Sequence, residues 1–145
     1  MERTERKKTS KLNSRWQSVV SFILPLVISF LLFKFVFFLG YIPSASMEPA
    51  LKTNSFCFGL RIVNKATCDV GDVIIFKHEG TVMIKRVAGV GGDVITADTG
   101  DVFEVPENSY FVLGDNAENS YDSRYWEDPY VEKDEIIAKL LLPSV

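Results

Sequence analysis

From Trp16 to Leu39 the chain reads WQSVVSFILPLVISFLLFKFVFFL, an apolar run broken only by Gln17, a few Ser, Pro25 and Lys34. As a helix rising about 1.5 Å per residue it would extend roughly 36 Å, enough for a hydrocarbon core of about 30 Å. Pro25 would break a soluble helix, but a membrane helix tolerates it where neighbours or local distortion satisfy the freed carbonyl. Lys34 lies near the distal end and can snorkel along its aliphatic stem. The expectation is a transmembrane helix over 16–40, with a head of residues 1–15 before it and a domain of residues 41–145 after it. A buried core helix is a poor reading, because a chain this short has no core to cover so long a run. A cleaved signal sequence is the stronger rival, since Ser44-Ala45-Ser46 has the small-x-small form of a cleavage site. Against it, the apolar stretch much exceeds the roughly 7 to 15 residues of a signal h-region.

After Ile42 the pattern becomes short, β-type and punctuated. Candidate strands are 55–63, 72–77, 81–89, 93–97, 101–105, 109–114 and 135–142, rich in Val, Ile and Phe with period-two alternation. His78-Glu79-Gly80 and Asp98-Thr99-Gly100 read as hairpin turns. Beyond the anchor no stretch sustains a helical period. The expected fold class is mainly β: one N-terminal transmembrane helix followed by a compact antiparallel β-barrel-like domain.

Charge divides the chain at the same place. The first fifteen residues carry Arg3, Arg6, Lys7, Lys8, Lys11 and Arg15 against Glu2 and Glu5, a net +4, so of the overall −3 the remainder holds −7. Basic residues before the helix predict a cytoplasmic N-terminus and an extracytoplasmic domain in the plasma membrane. An acidic domain without a basic stripe argues against nucleic acid as a partner. The single His78 excludes two-histidine metal motifs, and Cys57 and Cys68 are too far apart for a zinc knuckle. No metal and no cofactor are expected. Two thiols outside the cytoplasm are open to pairing, although nothing in the pattern requires a staple.

Three stretches offer chemistry. Pro43-Ser44-Ala45-Ser46-Met47-Glu48-Pro49 places two serines in a Pro-bounded turn just beyond the apolar run. Lys85 stands inside TVMIKRVAG, where alternation puts Thr81, Met83 and Lys85 on one face and Val82, Ile84 and Arg86 on the other. One of the two cations should point inward. A core-facing lysine loses hydration, its pKa falls and its neutral amine can take a proton; a lysine snorkelling from a strand edge is the bland alternative. The third stretch, GDNAENSYDSR over 114–124, is dense in Asp and Asn. It fails as an EF-hand loop, with Ser120 and Trp126 where Gly and Glu are needed, and reads as an Asx-rich loop with Asp122 and Arg124 available to pair.

PSASMEP, MIKRVAG and GDNAENSYDSR, with GDVIIF at 71–76 between the first two, resemble in order and spacing the boxes of bacterial type I signal peptidases. The resemblance covers nearly the whole chain from the anchor onward and is closest to the compact, single-anchor forms typical of Gram-positive bacteria. It implies a membrane-bound serine endopeptidase that removes signal peptides from exported preproteins after small residues. By position it makes Ser46 the nucleophile, Lys85 the general base and Ser44 an oxyanion donor beside the Ser46 amide. Ser120 would orient Lys85, while Asp115, Asn116, Asp122 and Arg124 would support the site. Ile42, Pro43, Met47, Leu51 and Ile84 would wall the pockets for small side chains. Preproteins, the lipid bilayer and proximity to the secretion translocon follow as partners. Ala50, Gly91 and Ala117 depart from common family residues, Thr, Pro and Arg respectively, without touching a catalytic side chain.

A Ser-His-Asp triad through His78 is the mechanistic rival, weakened by the placing of His78 in a turn. A tethered binding domain would explain the anchor and strands but leaves Lys85 and the Ser44/Ser46 pair without a reason. A relative that processes pilins or conjugation factors, or cleaves itself near Ala45 or Ser46, would use the same dyad. Tyr125 and Trp126 are open to either an interfacial or a core role.

Overall fold

The computed structural model describes the backbone of residues 2–61 and 68–141, and the side chains of that range from Trp16 onward. The chain divides into two compact units, residues 1–35 and 36–145. The first is the body of helix α1 (Glu2–Val36). Its stretch Trp16–Val36 has a mean hydropathy of 2.5 and is long and apolar enough to cross a membrane. A core helix hides one stripe from water, whereas every residue from Trp16 to Phe35 is exposed here. It is the one such helix among the described residues, and it supports a single-pass membrane protein.

The helix ends earlier than the sequence suggests. Residues 37–40 are not helical: FFLGYI forms strand β1 (Phe37–Ile42), antiparallel to β2 (Ser55–Leu60) in the register Phe37↔Leu60 to Ile42↔Ser55. A continuous apolar run has no period to separate strand from helix. Aromatic residues favour the pleated surface, and Gly40, costly in a helix, fits where β1 crosses close to β2. A Cβ there would stand 2.7 Å from the Phe38 ring and 3.0 Å from Cys57 Sγ. The remaining 21 helical residues from Trp16 to Val36 still span roughly 31 Å at about 1.5 Å each.

The other strands are β3 (Val73–His78), β4 (Thr81–Val90), β5 (Val94–Thr96), β6 (Val102–Glu104), β7 (Ser109–Leu113), β8 (Val131–Glu132) and β9 (Ile136–Leu140). Six of the expected strands lie within a residue or two of these. The expected strand at 55–63 gives β2, ending at Leu60; its last two residues, and Leu142 of the expected 135–142, fall outside the described residues. β8 was not foreseen, being only two residues long.

The expected barrel is not formed. Among the described residues, seven strands make one sheet in the order β1-β2-β9-β3-β4-β7-β8, while β5 and β6 pair apart as a hairpin. β1 and β8 lie at opposite ends of the order, so the sheet is antiparallel but open. Closure requires the two edges to meet, a non-local condition that alternation along single strands does not encode. Bulges between Ile75 and Phe76 and between Val87 and Gly89 interrupt the ladders locally.

The central β3 is buried on both faces. Ile74 and Phe76 join a cluster with Val87, Tyr110, Val112, Trp126, Val131 and Ile136. Val73 and Ile75 join the second, with Ile42, Met47, Leu51, Cys57, Ala138 and Leu140. The β3–β4 turn is Glu79-Gly80, with φ of 48° and 84°, the two left-handed positions of a tight type I′ hairpin. His78 is therefore the last residue of β3, paired with Thr81, and not part of the turn. It is buried, stacks on Trp126 at 4.6 Å and places Nδ1 3.2 Å from Glu135 Oε2.

Candidate active site

β1 delivers the chain into a tightly wound segment. Glu48 N donates to Ala45 O at 3.1 Å and Leu51 N to Met47 O at 2.8 Å, while the Glu48 carboxylate accepts from Thr53 N and Oγ1. Met47 and Leu51 are sunk in the second core cluster, which fixes the segment from below. Between them and β1, Ser46 is 9% exposed, with its Oγ 3.3 Å from Ser44 Oγ.

Lys85 reaches the same place from β4, opposite Ile74 of β3. It is the inward cation of the pair, 4% exposed. Its Nζ donates to Ser120 Oγ at 2.8 Å, and Ser120 Oγ donates to Asp122 Oδ2 at 2.6 Å. Asp122 is wholly buried and also accepts from Gly114 N at 2.9 Å and from Arg124 Nε and Nη2 at 2.8 and 3.0 Å. Arg124 in turn donates to Asp98 Oδ2 at 2.8 Å. Burial pushes the Lys85 ammonium down from its ordinary value; the Asp122 charge opposes this and Arg124 adds to it. For Asp122, burial alone would raise the carboxyl, but hydrogen bonds from Arg124, Gly114 N and Ser120 outweigh it and hold the group below its ordinary value.

The loop carrying Ser120 is tied to the serine segment. Asn116 Nδ2 donates to Ala45 O at 3.1 Å and Asn116 N to Ser46 O at 3.0 Å. Arg86, the outward neighbour of Lys85, holds both oxygens of Asp115 at 2.7 and 2.6 Å. Gly114 lies where these pieces converge. A Cβ there would fall 2.1 Å from Ser120 Oγ and 2.6 Å from Ser46 O.

Ser46 and Lys85 open together onto a cleft of about 400 Å³ with largely apolar walls. Among the described residues their two reactive atoms are not bonded to each other; Ser46 Oγ neighbours Ser44 and Lys85 Nζ neighbours Ser120. Such bonds are often long without substrate and tighten in the complex.

A family model described as signal peptidase, peptidase S26, matches residues 15–103 and 96–145. The chain belongs to this signal peptidase family. Curated relatives agree. It is 27% identical to the "Probable signal peptidase I-2" of Synechocystis sp., over 94% of this chain and 76% of that protein. It is 28% identical to the "Signal peptidase I" of Bacillus licheniformis, over 83% and 84% respectively. With the "Signal peptidase I" of Pseudomonas fluorescens it shares 28% identity, over 64% of this chain and 56% of that one.

Against what the signal peptidase resemblance implied, Ser44, Ser46 and Lys85 line one cleft, and Ile42, Pro43, Met47 and Ile84 wall it. Leu51 does not; it packs into the core beneath the serine segment. Walls the sequence reading missed are Phe38 and Tyr41 of β1, Ile75, Val82, Met83, Asn119 and Tyr121. Phe38 lay hidden in the run read as helix. Asp98, the partner of Arg124, carries only a turn signal in the sequence. Trp126 takes the core role against Phe76 and His78, while Tyr125 is half exposed beside Tyr121. Cys57 and Cys68 are both free and buried. His78 does not line the cleft, which removes the triad.

Proposed function

We propose that Ser46 and Lys85 perform the reaction of this family, in which the chain is a serine endopeptidase that removes signal peptides from preproteins. The observation that carries this assignment is the burial of Lys85 beside the serine cleft with its amine fastened to Ser120. A lysine of ordinary pKa, about 10.4, would be neutral only a few times in ten thousand at pH 7; desolvation supplies the correction. A neutral amine has two N–H bonds and one lone pair. Ser120 sends its own proton to Asp122 and so accepts one N–H from Lys85, which leaves the lone pair for the serine.

The reaction then runs in two halves. Ser46 Oγ attacks the carbonyl after a small residue as Lys85 takes the hydroxyl proton. The oxyanion is held by the Ser46 amide and the Ser44 hydroxyl. Lys85 returns the proton to the leaving amine, the acyl-enzyme remains, and water activated by the same amine releases the signal peptide. Asp122 and Arg124 keep Ser120 in place, Asn116 holds their loop against the serine segment, and Asp115 ties it to Arg86 of β4. The apolar walls at Ile42, Pro43, Met47 and Ile84 select small side chains.

The orientation follows from charge. Six Lys/Arg precede the apolar stretch Trp16–Val36, which supports a cytoplasmic N-terminal side with residues 37–145 outside. Proximity to the secretion translocon follows from the substrate, whose own signal helix emerges there. Protease added outside intact spheroplasts should digest the β-unit; its protection would overturn the orientation. For the chemistry, a detergent-solubilised preprotein with a small-x-small site is cut by the wild type and by neither Ser46→Ala nor Lys85→Ala. Cleavage at the wild-type rate by either variant overturns the dyad.

A further inference from the structure

Two cavities flank the nucleophile segment. The cleft already described is lined by residues 42–44, 46 and 47 of that segment. An open groove of about 670 Å³ is lined by its next residues, Pro49 and Ala50, together with Val70, Gly71, Asp72, Arg86 and Asp115. The two share no lining residue, and they part between chain neighbours: Lys85 belongs to the first and Arg86 to the second. The second groove therefore takes up the nucleophile segment where the first cleft leaves it, three residues after Ser46.

A polypeptide cut at an internal bond extends in both directions from the scissile carbonyl. The apolar cleft beside Ser46 suits the small residues before the cut, and the segment after it needs a separate path. We infer that the Ala50–Val70–Arg86 groove receives the first residues of the mature protein, on the leaving-amine side of the bond. This rests on the reading of Ser46 and Lys85 given above.

The chemistry of the groove fits an occupant of variable sequence. Its charges are mutually engaged: Arg86 forks onto Asp115 and donates to Gly71 O at 2.7 Å, while Asp72 pairs with Lys139 and accepts from Asp69 N at 2.8 Å. With every charge paired, the groove makes no fixed demand on the side chains it meets. Ala50 and Val70 are exposed, and nothing lies within 4 Å of where a Gly71 Cβ would stand, so a main chain can approach closely.

The test uses two peptides identical up to the cleavage site, one ending after the first mature residue and one continuing for several more. The detergent-solubilised full chain is compared with Val70→Trp and Ala50→Trp. Contacts remote from the reacting bond raise turnover, so the wild type should cut the longer peptide with a kcat/KM about tenfold higher. In both variants that ratio should collapse toward one. A ratio is independent of the amount of folded enzyme, and the exposed Val70 reports even where Ala50→Trp misfolds. Equal rates on the two peptides in the wild type, or an undiminished ratio in the variants, overturn the inference. Cleavage by Ser46→Ala in the same assay would instead overturn the dyad beneath it.

Discussion

Lys85 is the residue on which pH should act. In the proposed mechanism its neutral form is the reactive one, so kcat/KM should fall as pH drops through the folded-state value and level off above it. Because burial lowers that value, the midpoint of the acidic limb should lie below the ordinary lysine value of about 10.4; a midpoint at or above it contradicts a desolvated base. The same shift bears on stability. A base depressed by folding contributes its full stability above the unfolded value and loses it as pH falls toward the folded one. Lys85→Met should therefore abolish turnover while keeping stability at pH 7 at or above the wild-type level, measured by thermal unfolding in detergent. Gly114→Ala should also lower the rate, by displacing Ser120. Its Cβ would stand 2.1 Å from Ser120 Oγ; relieving that overlap moves the oxygen by about 1 Å, which costs on the order of a hundredfold in rate. Asp122→Ala strips the buried Arg124 of its main partner; its side chain is only 4% exposed, and breaking such a pair costs about 3–5 kcal/mol. At this scale the sequence narrowed the choice to Lys85 or Arg86 without deciding it. Alternation assigns faces, but which face is covered depends on β3 and the 114–124 loop, both distant in the chain.

Most strands were readable because each alternates within a bounded run, and the boundaries fell at Gly, Asp and Asn. β1 was not, since its neighbours on the N-terminal side are as apolar as it is and only pairing with β2 sets it apart. Its place against β2 can be tested at Gly40. Gly40→Val would drive branched carbons into the Phe38 ring and Cys57 Sγ, where even a Cβ would lie at 2.7 and 3.0 Å. Overpacking of this kind costs about 1–3 kcal/mol, and since Phe38 lines the cleft, KM should rise along with the loss in thermal stability. An unchanged melting temperature would mean that β1 does not cross β2 this closely. His78 departs from its turn-like sequence pattern for a related reason. The tight Glu79-Gly80 turn needs only two residues, so the histidine before it belongs to the strand and enters the core.

For the whole molecule, the charge asymmetry and the apolar run made the two-part organisation legible, whereas the open edge of the sheet was not. The wound segment with Ser46 begins six residues after α1 ends, since β1 occupies Phe37–Ile42. A preprotein held by its own signal helix in the same bilayer meets this site at a high effective concentration. Removing residues 1–36 should therefore leave cleavage of a short soluble peptide nearly intact and reduce cleavage of a membrane-embedded preprotein, compared in the same liposome assay. An equal loss on both substrates would mean that the helix serves the fold and not the encounter.

The open sheet also governs how this protein behaves outside its membrane. β1 is a six-residue edge strand, and Leu39 and Tyr41 on it, with Phe56 and Phe58 on β2, are exposed. A long apolar edge is a template for strand addition by another chain, a hazard from which closure would have protected a barrel. Stripped of lipid or detergent, the β-unit should self-associate through that edge into sheet-rich aggregates. A lysine at Tyr41 or Phe56 is the substitution most suited to keeping it monodisperse in a storage buffer.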